Sequence, residues 1–152
     1  RWDPMTEALL HFAARGDHLR SVIRPRLDAG DWVLSDRFTD STMAYQGYGH
    51  GLGRAAIARL QALVLGDFIP DLTLILDVPV DVGLVRAASR NDGEDRYERL
   101  GHGFHERLRE AYRDIVVQEP ERCALIDAAD EVEAVHAAVK AEAARRLGVE
   151  LS

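Results

Sequence analysis

Leu72-Thr73-Leu74-Ile75-Leu76-Asp77-Val78 is a short apolar run, closed on one side by Pro70-Asp71 and on the other by Pro79. Continuous rather than alternating hydrophobicity over this length predicts a strand buried on both faces of a parallel sheet. Working outward, the pattern turns helical on either side. Arg54–Leu65 predicts a helix before the run, and Asp81–Ser89 another after it. Phe104, Leu108, Tyr112 and Ile115 mark a further helix, Cys123–Ile126 a further strand, and Val132, Val135 and Val139 stripe a last helix. Toward the amino end, Asp3-Pro4 offers an N-cap followed by a proline at the first helical position. Met5, Leu9, Phe12, Leu19, Ile23 and Leu27 then recur at helical spacing, lightly interrupted by Gly16 and Pro25 and ended by Ala29-Gly30-Asp31. Trp32–Ser35 predicts a short strand, and Thr39–Gln46 a helix capped by Thr39 or Asp40. Strands alternating with helices imply crossover connections, hence an α/β fold with a parallel sheet.

The 152 residues suit one domain, 1–152, with a real core and no internal repeat. No segment approaches the length of a membrane span, so no membrane partner is expected. A single cysteine, Cys123, can form no internal disulfide, and a cytoplasmic location is the default. A formal charge of −7 argues against wrapping a nucleic-acid polymer, which needs a broad basic face. A small phosphorylated ligand remains compatible, because a few local arginines suffice. Of the 19 basic residues only Lys140 is a lysine, and it falls in the alanine-rich last helix. Any chemistry that needs a phosphate-loop lysine has that one residue to draw on.

The richest chemistry lies in Asp36-Arg37-Phe38-Thr39-Asp40-Ser41-Thr42-Met43-Ala44-Tyr45-Gln46-Gly47, directly after the predicted strand at Trp32–Ser35. An acid and a guanidinium at the carboxyl end of a strand sit where α/β sheets bind ligands. The planar fork of Arg37 suits a phosphate, with Asp36 orienting it or assisting a magnesium ion; a structural ion pair is the competing reading. Ser41, Thr42, Tyr45 and Gln46 offer hydroxyls, a ring and an amide to a small polar ring, with Tyr45 the best wall of a sugar pocket. His11 and Arg15 share one face of the first helix, where they can address a base or simply form a solvated face. The glycines from Gly47 to Gly53 lack the lysine and hydroxyl of a nucleotide-binding loop and predict a flexible connector. Arg86, Arg90 and Arg96 surround the polar stretch Arg90–Asp95, which could fold over a polyphosphate or remain a solvated charge run. The six histidines show no metal-ligand spacing, and no serine or cysteine nucleophile is arranged for attack.

Taken together these residues resemble bacterial thymidylate kinase, a family that makes dTDP from dTMP and ATP. The resemblance is carried by Phe12-Ala13-Ala14-Arg15, Val22-Ile23-Arg24-Pro25, Trp32 through Phe38, Ser41 through Gly47, Pro70 through Val78, Asp95-Arg96-Tyr97-Glu98, Phe104-His105-Glu106-Arg107 and Ile126-Asp127-Ala128. It implies the three-layer fold of the P-loop nucleoside triphosphate hydrolases. It also implies that Arg15 bonds the thymine edge and Arg37 holds the dTMP phosphate, with Thr42 and Gln46 near the base. Tyr45 would pack where a ribose 2′-hydroxyl would otherwise sit. A lid at about residues 86–98 would cover ATP through Arg86, Arg90 and Arg96, with Arg90 and Arg37 catalytic beside Asp36. The loop after Ile126-Asp127-Ala128 would approach the adenine. ATP as co-substrate, Mg2+ and a homodimer built on the first helix and the Arg54–Leu65 helix complete the expectation.

Two features depart from the family pattern. His11 stands where the family usually stacks a phenylalanine on thymine, with Phe12 one place later. The family's amino-terminal strand and its Gly-rich, Lys-containing phosphate loop are missing from the 152 residues. The chain is therefore expected to be the carboxyl-terminal portion of a kinase, inactive by itself. A non-catalytic dTMP-binding remnant, a kinase of another pyrimidine nucleotide and a pure interaction module are the alternatives.

Overall fold

A computed structural model describes residues 2–90 and 100–150, with the side chain of Arg90 excepted. The chain is α/β and mostly helical, and it divides into two compact units, Arg1–Phe68 and Ile69–Ser152. No helix among the described residues is long and apolar enough to cross a membrane.

The first unit is built on α1 (Pro4–His18). Asp3 caps it as the sequence predicts, accepting from the backbone N–H groups of Met5 and Thr6, with Pro4 in the first turn. Helical winding continues through a π-helical stretch, Leu19–Ile23, into α2 (Arg24–Asp28). The widened turns fall just ahead of Pro25, which has no N–H to donate and whose ring crowds the preceding turn. The end at Ala29-Gly30-Asp31 is as predicted: Gly30 adopts φ 85°, while Gly30 N–H donates to Leu27 and Asp31 N–H to Arg26. That pair of bonds satisfies the last carbonyls of the helix.

The predicted stripe is buried only in part, and Ala8 joins it. Ala8, Phe12, Leu19 and Ile23 are buried, whereas Met5, Leu9 and Leu27 are exposed. Small residues define the seam: Gly16 lies so close to Val64 that an added Cβ would stand 2.6 Å from its Cγ1. Val64 belongs to α4 (Arg54–Leu65), which matches the predicted helix and buries Ile57 and Leu65 against the same core.

Between them, the segment at Trp32–Ser35 is not a strand, contrary to the sequence reading. A strand exists only where a neighbour accepts and supplies its ladder hydrogen bonds, which a hydropathy pattern cannot register. Leu34 is fully exposed and Trp32 70% exposed, so the run is not buried either. The next helix, α3 (Thr39–Thr42), starts after Phe38 without a side-chain cap, so neither Thr39 nor Asp40 caps it, and it runs on as a π-helical stretch, Met43–Gly49. The first three residues of the predicted glycine connector, Gly47 to Gly49, are thus helical, and Leu52 and Gly53 are tied back by their N–H groups to the carbonyls of Gln46 and Gly47.

The second unit holds β1 (Thr73–Asp77), α5 (Val80–Arg90), α6 (His102–Gln118), β2 (Cys123–Asp127) and α7 (Val132–Leu147). The two strands are parallel, in register from Thr73 opposite Cys123 to Asp77 opposite Asp127. β1 is less covered than its apolar run implies: Ile75 is buried but Leu76 is 56% exposed, and β2 is its sole paired strand among the described residues. α6 buries Phe104, Leu108, Ala111 and Ile115, close to the predicted face. At the carboxyl end of β1, Asp77 receives Arg109 through Nε at 2.7 Å and Nη2 at 3.0 Å, and Arg113 through Nη2 at 2.7 Å. Residues 91–99, which include Arg96 and most of the expected lid, lie outside the described residues.

Candidate functional site

The site grows from a tight turn in the first unit, Ser35 to Phe38. Ser35 Oγ donates to the carbonyl of Arg37 at 3.0 Å. Arg37 takes φ 64°, the one left-handed backbone among the described non-glycine residues. That conformation costs an L-residue about 1–2 kcal/mol, and such outliers gather where a side chain must be aimed. Arg37 aims its guanidinium over the ring of Tyr45, 5.1 Å from the centroid. Both residues are at least partly open to solvent, and Asp36 beside them is exposed. The turn therefore presents a cation on an aromatic platform with a carboxylate next to it.

Immediately below, the carbonyl of Phe38 accepts from Arg15 Nη2 at 3.1 Å and from the N–H of Ser41 at 3.2 Å. Arg15 comes from α1 and lies between two rings, 5.3 Å from the centroids of Phe12 and of Phe38. Burial pushes its guanidinium below the ordinary arginine value, and the charge of Asp40 opposes that shift. Arginine starts so high that it stays cationic. Its Nη1 is buried with no hydrogen-bond partner. A buried donor left unmatched is unfavourable until an acceptor arrives, which suits it to a ligand oxygen.

The remaining predicted residues separate by exposure. Ser41 and Tyr45 are half-buried, as is His11 one helical turn before Arg15. Thr42 and Gln46 are buried, to 2% and 1% exposure, so they back the site from within. Gln46 Nε2 donates to Glu7 Oε2 at 2.8 Å. Glu7, Phe38 and Asp40 stand in the site without being among its sequence candidates. Glu7 was findable, because residues 7, 11 and 15 fall on one face of a helix; Phe38 acts through its carbonyl, which no side-chain pattern reveals.

In the second unit, Arg86 turns its guanidinium onto backbone carbonyls of the loop after β2. No group of three or more His, Cys, Asp or Glu side chains that could hold a metal occurs among the described residues.

The thymidylate kinase family profile matches residues 1–139. The chain is 52% identical over 149 residues to the thymidylate kinase of Caulobacter vibrioides, covering 98% of this chain and 71% of that one. It is 54% identical to that of Rhodopseudomonas palustris strain TIE-1 over 85% of this chain and 57% of the relative, and 50% identical to that of Alkalilimnicola ehrlichii over 90% and 63%. The crystal structure of thymidylate kinase from Ehrlichia chaffeensis superposes with a TM-score of 0.70 at 33% identity, over 91% of this chain and 65% of that one. The chain thus spans roughly three fifths of most of these relatives and carries the P-loop kinase type of α/β fold. It belongs to the thymidylate kinase family.

Proposed function

We propose that the whole protein transfers the γ-phosphoryl group of ATP to the 5′-phosphate of dTMP, giving dTDP. The observation that carries this reading is Arg37, held at φ 64° with its guanidinium over Tyr45. A fixed planar fork matches two oxygens of a phosphate monoester. Tyr45 beneath it would close the space beside C2′ and favour deoxyribose. The unmatched Nη1 of Arg15 would meet a thymine oxygen, with His11 stacking on the base and Ser41 at its edge. Thr42 and Gln46 would shape the pocket floor from behind.

The acceptor is already anionic, so the reaction needs no strong base; positioning and charge neutralisation do the work. Arg90 and Arg96, and any lid near residues 86–98, would act on the donor phosphates. Mg2+ would fit the sparse acidic chemistry here, since it binds through one or two carboxylates plus phosphates and water. Asp36 is the exposed carboxylate next to Arg37 that would hold it, and bound there the ion would neutralise phosphate charge. We read the chain as one domain of a cytoplasmic enzyme. Exposed Leu9 on α1 and Leu63 on α4, 49% and 82% accessible, support a homodimer through those helices.

Titration calorimetry of the whole protein tests the acceptor site. The reading expects dTMP to bind more tightly than thymidine, with Arg37→Ala weakening dTMP about a hundredfold and leaving thymidine unchanged. Equal affinity for dTMP and thymidine would refute it.

A further inference from the structure

Arg86 projects from α5 to the loop that leaves β2. Its Nη1 donates to the carbonyl of Ala128 at 2.6 Å, and its Nη2 to those of Ala129 at 2.7 Å and Asp130 at 3.2 Å. One planar cation therefore gathers three consecutive carbonyls, a geometry that a lysine ammonium cannot copy. The loop is fixed from its other side as well. Ala128 N–H donates to the carbonyl of Asp77 at 2.8 Å, and Ala129 N–H to Asp127 Oδ1 at 2.9 Å. All of these groups belong to the second unit.

The loop sits just beyond the carboxyl ends of two parallel strands, where open α/β sheets meet their ligands. We propose that Arg86 is a positioning residue for the base of the phosphoryl donor: by gathering the carbonyls of residues 128–130, it sets the wall against which a purine ring is read. This rests on the kinase reading above and deepens it. Arg86 then works through the loop, not on a phosphate, because its donors already point at the carbonyls. Removing it leaves the loop backbone free to take other conformations, so recognition of the ring weakens while contacts to the phosphates persist.

Arg86→Gln and Arg86→Lys in the whole protein test this with two readouts. Hydrogen exchange at residues 128–131 without nucleotide should quicken by about tenfold in both variants. Calorimetry with ATP and with GTP should show ATP weakened by about tenfold and the preference for ATP over GTP reduced, with dTMP affinity unchanged. Lysine should not rescue. Unchanged exchange, or ATP and GTP weakened equally with their ratio intact, would overturn the proposal and return Arg86 to a phosphate or purely structural role. Failure of the wild-type protein to bind ATP would overturn it too. A protein that binds ATP and prefers it to GTP, yet transfers no phosphate to dTMP, would instead refute the kinase reading alone.

Discussion

At the scale of single residues, backbone conformation and side-chain chemistry make separable contributions at Arg37. Glycine reaches φ 64° without the Cβ clash that an alanine keeps. Arg37→Gly should therefore be more stable than Arg37→Ala by about 1 kcal/mol, while both lose the dTMP phosphate equally. Parallel urea unfolding and dTMP titration check this; equal stability of the two variants would mean the turn stores no strain. Arg15 differs, because its stem and guanidinium fill the space between Phe12 and Phe38. Arg15→Ala should lower stability by about 2 kcal/mol through lost packing, cation–ring attraction and the bond to the Phe38 carbonyl. Chemical denaturation reads that loss directly, and a neutral result would show that the sandwich contributes nothing.

At the scale of elements, the approach of α1 and α4 turns on Gly16. Alanine favours a helix interior over glycine by about 1 kcal/mol, yet its Cβ would stand 2.6 Å from Val64 Cγ1. Overpacking wins, so Gly16→Ala should destabilise by about 1 kcal/mol net. Adding Val64→Ala should relieve the clash, giving a non-additive double-mutant cycle in thermal unfolding. The same seam explains what the sequence could and could not reveal. The cap and the stop of the first helix are legible, because Asp3-Pro4 and Ala29-Gly30-Asp31 act within a few residues of themselves, whereas the start of α3 at Phe38 is not. Helix α4 and the two strands of the sheet were legible from pattern and length. The stripe of the first helix holds at Phe12, Leu19 and Ile23, but close contact selects Ala8 and Gly16 over the larger Met5 and Leu9. Trp32–Ser35 forms no strand, because pairing depends on a partner and not on composition. In the site, Arg15, Arg37 and Tyr45 announced themselves by residue type, whereas the carbonyl of Phe38 and the loop contacts of Arg86 are properties of backbone geometry.

At the scale of the whole molecule, ion pairs set the response to acid. Hydrogen bonds from Arg109, then Arg113, hold the Asp77 carboxyl below its ordinary 3.8 against the opposing effect of burial. Arg145 and Arg146 likewise hold Glu142 down from 4.5 to about 2. Both carboxyls are depressed in the folded state, so they stabilise fully above their ordinary values and lose that stabilisation as pH falls through the folded ones. The melting temperature should drop most steeply between pH 4.5 and about 2, and Asp77→Asn should lower it at pH 7 while flattening that acid slope. A slope unchanged by Asp77→Asn would mean that Asp77 has no part in the acid response. The proposed reaction is read by steady-state turnover of the whole protein with ATP and dTMP, dUMP or thymidine. dTMP should be the preferred acceptor, and Arg37→Ala should lower kcat/KM for dTMP by about a hundredfold or more. Preference for thymidine, or an Arg37→Ala enzyme as active as the wild type, would contradict it.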